Sequence, residues 1–155
     1  YVYSIQMTEE RAKEIGVKLS SLQEIFAECD VISNHLANNE QTKGIINAEL
    51  IKSMKDYSTF INTGRGAQVD ENALIEKLSS NPTVTAVLDV TCPEPPEKDS
   101  PLYTLNNVFL TPHIAGSSGN EVWRMAEYML EESKRFVNGD KSLYEVSLKM
   151  LETMA

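Results

Sequence analysis

Short apolar runs alternate along this chain with stretches whose apolar residues recur at helical spacing. The strand-like runs fall near Tyr1 to Ile5, Val31 to Asn34, Thr59 to Asn62, Val84 to Asp89 and Val108 to Leu110. Each is short and apolar, the pattern of strands covered on both faces. Helical stretches lie between them. Thr8 can cap a helix through Ile15, with Glu9 and Glu10 at its positive end and Gly16 as its stop. Ser21 begins a helix to Ala27, Asn47 begins one through Leu50, Ile51 and Met54, and Asp70 caps a stretch in which Ala73, Leu74 and Leu78 share a face.

The longest predicted helix runs from about Ser118 to Val137, where Val122, Met125, Ala126, Met129, Ser133, Phe136 and Val137 follow the helical period, and Asn138-Gly139 stops it. Met125, Met129, Met150 and Met154 read as core fillers. Trp123 lies off the main stripe and reads as an interface or core anchor. A last amphipathic segment puts Leu143, Val146, Met150, Leu151 and Met154 on one face. Between the fourth and fifth strands, "TCPEPPEKDSPL" holds four prolines and reads as a stiffened loop. Alternation of this kind predicts an α/β fold, a mainly parallel sheet with flanking helices. The chain divides only near Gly139, into 1–139 and a C-terminal helix in 140–155.

Composition narrows the partners. The 155 residues are 41% hydrophobic, enough for one domain with a core, and 14 Lys+Arg against 23 Asp+Glu give a formal charge of -9. That charge argues against nucleic acid and against an anionic membrane as partners. Cys29 and Cys92 form neither a disulfide framework nor a zinc-like spacing, so no metal site is expected and both thiols are expected free, in the cytoplasm. No apolar run reaches membrane-spanning length.

Ligands of an open parallel sheet bind beyond the carboxyl ends of its strands. His35, Thr63-Gly64-Arg65, Asp89 to Glu94 and Thr111-Pro112-His113 each directly follow a predicted strand. Arg65 suits a carboxylate or carbonyl oxygen through two parallel hydrogen bonds, and its flanking glycines let backbone approach closely and clear space around it. His113 can give a proton to a carbonyl oxygen that is becoming an alcohol, or take it back. Glu94 can pair with the imidazole and fix its tautomer. Such a set serves reduction of a 2-keto acid by hydride from a cofactor. Singly, each residue has a plainer reading: a surface arginine, a histidine capping a strand end, a solvated glutamate. Their convergence from three strand ends lifts them above it.

The chain resembles the cofactor-binding domain of the D-isomer-specific 2-hydroxyacid dehydrogenases from Tyr1 to about Gly139. The resemblance rests on "CDVISNHLANNEQTKGIIN", "MKDYSTFINTGRGAQVDENAL", "LDVTCPEPP" and "LTPHIAGSS", in that order. It implies a Rossmann-like fold, with Arg65 orienting the substrate carboxylate and carbonyl, His113 as general acid/base and Glu94 supporting it. It implies that Asp89 holds the nicotinamide carboxamide, and that His35, Leu36, the Thr63-Gly64-Arg65 turn and the His113-Ile114-Ala115-Gly116 turn line an NAD cofactor.

Two positions depart from the family pattern. Ala37 stands where proline is usual, which removes a fixed φ and predicts a looser loop. Ser4 stands where NAD-dependent members usually place an aspartate on the ribose, so NADP is also possible. No GxGxxG precedes Tyr1, so the first strand and the glycine-rich phosphate loop are expected to be missing, and the piece alone to be inactive. The parent is expected to be an NAD(P)-dependent dehydrogenase acting on a small 2-keto or 2-hydroxy acid. The alternative is a noncatalytic, dinucleotide-sensing module of corepressor type. An unpaired sheet edge predicts a homodimer.

Overall fold

The computed structural model describes residues 1–116 and 118–151. The chain forms two compact units, Tyr1–His113 and Ile114–Ala155.

In the first unit four short strands, β1 (Val31–Asn34), β2 (Thr59–Asn62), β3 (Thr85–Leu88) and β4 (Val108–Leu110), pair side by side in chain order, and every pairing is parallel. Parallel neighbours need crossovers. Helix α3 (Ala48–Ser53) supplies the first, α4 (Glu71–Ser80) the second, and a proline-rich loop with a 3₁₀ turn at Pro101–Tyr103 the third. Because all strands run the same way, every strand end and the loop after it meet at one edge.

Register then sorts the side chains. Ile32, Phe60 and Ala86 are aligned and buried, and so are Asn34, Asn62 and Leu88 one pleat further on. Helices α2 (Leu22–Glu28), α3 and α4 pack in sequence, and Phe26, Leu50, Ile51, Met54, Leu74 and Leu78 join the strand residues in one core. Phe26 and Phe60 meet with ring centroids 6.0 Å apart. The opposite row differs from the two-sided burial that the sequence predicts. Val31 and Phe109 are each 60% exposed, and Ser33 is exposed as well. Within this unit the strands alternate between a buried and a more open face, as strands do when one layer of helices covers them.

Local capping follows the sequence closely. The side chains of Thr8, Ser21, Asn47 and Asp70 accept backbone N–H bonds at the starts of α1 (Glu9–Glu14), α2, α3 and α4. The expected strand at Tyr1 to Ile5 does not form. Its pairing is a single bridge between Val2 and Leu19, with Val2 N–H donating to Lys18 O at 2.8 Å and Ser20 N–H to Val2 O at 2.9 Å. The Ser4 hydroxyl accepts from the N–H groups of Gln6 and Met7, each at 3.2 Å, which turns the chain before an extended run can continue.

The second unit holds the long helix α5 (Asn120–Asn138), ended by Gly139 in the left-handed conformation, with Gly139 N–H on Phe136 O and Asp140 N–H on Arg135 O. Beyond it, Glu132 gathers the returning chain: its carboxylate accepts from the Ser142 hydroxyl and from the N–H groups of Leu143 and Tyr144. These bonds, led by that of Ser142, hold the Glu132 carboxyl below the ordinary value. Tyr144 lies 5.5 Å from Tyr128, ring to ring. The short helix α6 (Leu148–Leu151) follows. The helical stripe is present, but its methionines are not core residues of this unit: Met125, Met129 and Met150 are exposed, as is Trp123, whose indole N–H donates to Glu127. Met154 lies outside the described residues. Among the described residues, no helix is long and apolar enough to cross a membrane.

Candidate active site

The carboxyl edge of β1 and β2 is closed by three buried amides. Asn34 and Asn62, opposite each other in register, are joined by a bond from Asn34 Nδ2 to Asn62 Oδ1 at 2.9 Å. Asn34 Nδ2 also reaches Gln68 Oε1 at 2.7 Å. The network holds backbone as well. Asn62 Oδ1 accepts Gly64 N–H at 3.1 Å, Gln68 Oε1 accepts Arg65 N–H at 3.1 Å, and Asn34 Oδ1 accepts Leu36 N–H at 3.2 Å. Gln68 Nε2 donates to the carbonyls of Leu36 and Ala37, both at 2.9 Å.

Arg65 sits at the exposed rim of this network, directly before a 3₁₀ turn at Gly66–Gln68. Its guanidinium donates to Gly64 O at 2.7 Å, and it forms no ion pair among the described residues. The glycines beside it have another purpose than the sequence suggests. A Cβ on Gly66 would stand 2.0 Å from Thr91 O, and one on Gly64 would stand 2.7 Å from Asn34 Nδ2 and 2.8 Å from Gln68 Oε1. They are glycines because the loop after β2 packs on the loop after β3 and on the amide network, not to clear space for the arginine.

The third component is a hydrogen-bonded pair. His113 Nδ1 and Glu94 Oε1 are 2.6 Å apart, with both side chains partly exposed. A carboxylate oxygen only accepts, so Nδ1 carries the hydrogen and Nε2 is the ring's other, basic nitrogen. His113 has φ 52, unfavourable for a residue with a Cβ, and its N–H is held by Asp89 O and Thr111 O, each at 3.0 Å. The peptide bonds Cys92-Pro93 and Glu94-Pro95, on either side of Glu94, are cis.

The remaining predicted residues divide. Asp89 is buried at the end of β3, where its carboxylate accepts the Thr111 hydroxyl. Exposed His35 places Nε2 2.7 Å from Ser33 Oγ and Nδ1 3.2 Å from Thr63 Oγ1, so it braces the loops after β1 and β2. Leu36 and Ala37 are held through their carbonyls; Ala37 O also accepts from Thr42 Oγ1 at 2.6 Å, so the loop that lacks a proline is tied down rather than loose. Ser4 is engaged in its own turn. Ile114, Ala115 and Gly116 open the second unit, Gly116 with φ 120. An open depression of about 390 Å³ lined by Tyr3, Ser21, Gln23, Gly44 and Asn47 contains none of the candidate residues. Among the described residues no cluster is suited to a metal ion.

Residues 1–115 match the family model for the NAD binding domain of D-isomer specific 2-hydroxyacid dehydrogenases. The chain belongs to this family. It is 35% identical over 150 residues to D-3-phosphoglycerate dehydrogenase of Archaeoglobus fulgidus, covering 97% of this chain and 28% of that protein. The D-lactate dehydrogenase of Lactobacillus jensenii, solved with NAD+, superposes with a TM-score of 0.80 at 27% identity, over 94% of this chain and 47% of that one. A D-isomer specific 2-hydroxyacid dehydrogenase of Xanthobacter autotrophicus Py2, in complex with NADPH and MES, gives 0.70 at 32% identity, over 83% and 41%. The chain thus spans less than half the length of these relatives.

In this 2-hydroxyacid dehydrogenase domain, the residues that sequence reasoning missed are polar and buried: Asn34, Asn62, Gln68 and Thr42. One signal was available, since "VISN" and "TFIN" both end an apolar strand on asparagine. Glu71 was also missed. Its carboxylate accepts Cys92 N–H at 2.8 Å, tying the start of α4 to the Glu94 loop, and burial raises its pKa despite that bond.

Two outcomes follow from this packing. Gly66→Ala lowers the urea-unfolding free energy by about 3 kcal/mol through overpacking, whereas Gly16→Ala, where a Cβ meets nothing but φ is +72, costs about 1 kcal/mol. A raised carboxyl pKa contributes stability that is complete below the unfolded value and lost as pH rises through the folded one. Glu71→Gln keeps a carbonyl acceptor for Cys92 without the charge. It therefore melts higher than the parent at neutral pH, and the difference closes below about pH 4, where the parent's Glu71 is protonated.

Proposed function

We propose that the whole protein is an oxidoreductase that interconverts a 2-keto acid and a D-2-hydroxy acid with a nicotinamide cofactor. The observation that carries this reading is the 2.6 Å Glu94–His113 pair on the same sheet edge as the exposed Arg65. Arg65 gives two parallel N–H donors to the substrate carboxylate and holds the carbonyl beside it. His113, with Nδ1–H on Glu94, delivers a proton from Nε2 to the carbonyl oxygen and recovers it in the reverse direction. Glu94 keeps the ring oriented and offsets the positive charge on the protonated imidazole.

The donor set fits a nicotinamide. The Asp89 carboxylate at the end of β3 is an acceptor suited to the carboxamide N–H, and Leu36, Thr63 and Gly64 stand on neighbouring strand ends to line the ring. The cofactor supplies the hydride that reduces the carbonyl carbon. We assign NAD first. Ser4 has no carboxylate to repel a 2'-phosphate, so NADP is a competent second cofactor. The free thiols of Cys29 and Cys92 support a reducing compartment, the cytoplasm.

In the whole protein, NADH or NADPH is consumed with glyoxylate, hydroxypyruvate or pyruvate. Arg65→Ala and His113→Ala each lower kcat/KM by about 100- to 10,000-fold. Rates like those of the parent in both variants would overturn the roles, and tight NADH binding without turnover of any 2-keto acid would favour a sensing module instead.

Homodimerisation is the second part of the reading. Helix α5 exposes Trp123, Met129, Phe136 and Val137 to solvent, and such a surface favours association. Light scattering of the whole protein should return twice the monomer mass; a monomer at high concentration would overturn it.

A further inference from the structure

Gln68 is fully buried, yet its side chain packs into no purely apolar environment. Its oxygen accepts Arg65 N–H and Asn34 Nδ2, and its nitrogen donates to Leu36 O and Ala37 O, so all four strong hydrogen-bonding positions of the amide are filled. Two of those partners lie in the loop after β1 and one is the backbone of Arg65. Few side chains could replace it. An apolar residue withdraws the bonds to Arg65 N–H, Leu36 O and Ala37 O, leaving Ala37 O with the Thr42 hydroxyl alone, and a carboxylate supplies no donor to the carbonyls.

The backbone of the turn does not need that side chain. Gln68 N–H donates to Arg65 O and Val69 N–H to Gly66 O, while Ile46 N–H on Gln68 O and Asp70 N–H on Ile46 O fasten the turn to the segment before α3. With the path of the main chain fixed by these bonds, the amide acts on two things: the orientation of the Arg65 peptide and the position of the Leu36-Ala37 loop.

We propose that Gln68 is a positioning residue that couples the loop lining the cofactor to the arginine that holds the substrate. This role rests on the 2-keto acid reading of the same site. With the nicotinamide seated against the Leu36-Ala37 loop, the amide carries the position of that loop to the Arg65 backbone through a path of two hydrogen bonds. Asn34 supports the coupling from the β1 side, because it bonds Leu36 N–H through its oxygen and Gln68 through its nitrogen.

The test compares the whole protein with its Gln68→Met, Gln68→Asn and Ser58→Ala variants. Ser58 is a buried hydroxyl just before β2, bonded to Lys55 O at 2.7 Å, and reports a loss of stability remote from the site. In Gln68→Met, KM for glyoxylate rises about 10- to 100-fold, more than kcat falls, and the Kd for NADH rises at least about fivefold. Ser58→Ala leaves both at parental values below its melting temperature. Gln68→Asn keeps the amide but is one methylene short of spanning both loops, so it moves KM and Kd the same way and carries the test where Gln68→Met does not fold. Parental KM and Kd in the folded Gln68 variants, with only melting lowered, would overturn the proposal. If the parent reduces no 2-keto acid, the reaction reading fails and the NADH Kd decides the coupling alone: a rise in the Gln68 variants supports it, and no change overturns it.

Discussion

The carboxyl edge of the sheet depends on a single demand: three buried amides must satisfy one another. An amide left unpaired away from water costs about 1–3 kcal/mol, so Asn34, Asn62 and Gln68 are favourable only as a set. Their agreement fixes several things together. Asn34 and Asn62 meet only if β1 and β2 pair in the observed register, and a slip of β1 by one residue would turn Asn34 to the other face. Gln68 meets Asn34 only if the chain turns sharply after Arg65. The site is therefore held by polar groups, while Phe26, Phe60, Ile51 and Leu74 hold the sheet to its helices.

Parallel order converts that local fix into a site. The loop after β2 carries Arg65, the loop after β3 carries Glu94, and His113 follows β4. Backbone contacts reinforce the side-chain bonds that join one loop to the next. Gly66 lies against the Thr91-Cys92 peptide, and His113 N–H reaches Asp89 O, which lets a histidine stay at φ 52. Such a conformation is sustained where its surroundings over-determine it. Here Pro112 before it, two carbonyls on its N–H and Glu94 on its ring do so.

Much of this was legible because it is local. The strands Val31–Asn34, Thr59–Asn62 and Val108–Leu110 stand where apolar runs are bounded by turn residues, and the four helix caps follow from hydroxyl, amide and carboxylate chemistry a few residues away. What depended on distant partners was not. Tyr1 to Ile5 has strand composition, but strand formation needs a neighbour along its length, and it pairs at one residue while Ser4 turns the chain. Val31 and Phe109 are as apolar as Ile32 and Phe60, so composition could not tell the open face from the covered one. Arg65, Glu94 and His113 were legible as reactive types at strand ends. Asn34, Asn62 and Gln68 were not, because polar residues read as surface until their partners are known.

The division between apolar core and polar edge has a consequence for how this domain tolerates change. Apolar contacts are non-directional, so a repacked Phe60 or Leu74 alters stability while leaving strand ends in register. Amide bonds are directional, and the cluster includes the main chain of Gly64, Arg65 and Leu36. A small displacement at Asn34 or Gln68 therefore reaches the arginine without passing through the core. The apolar core bears on stability, whereas the buried amides bear on stability and on site geometry together.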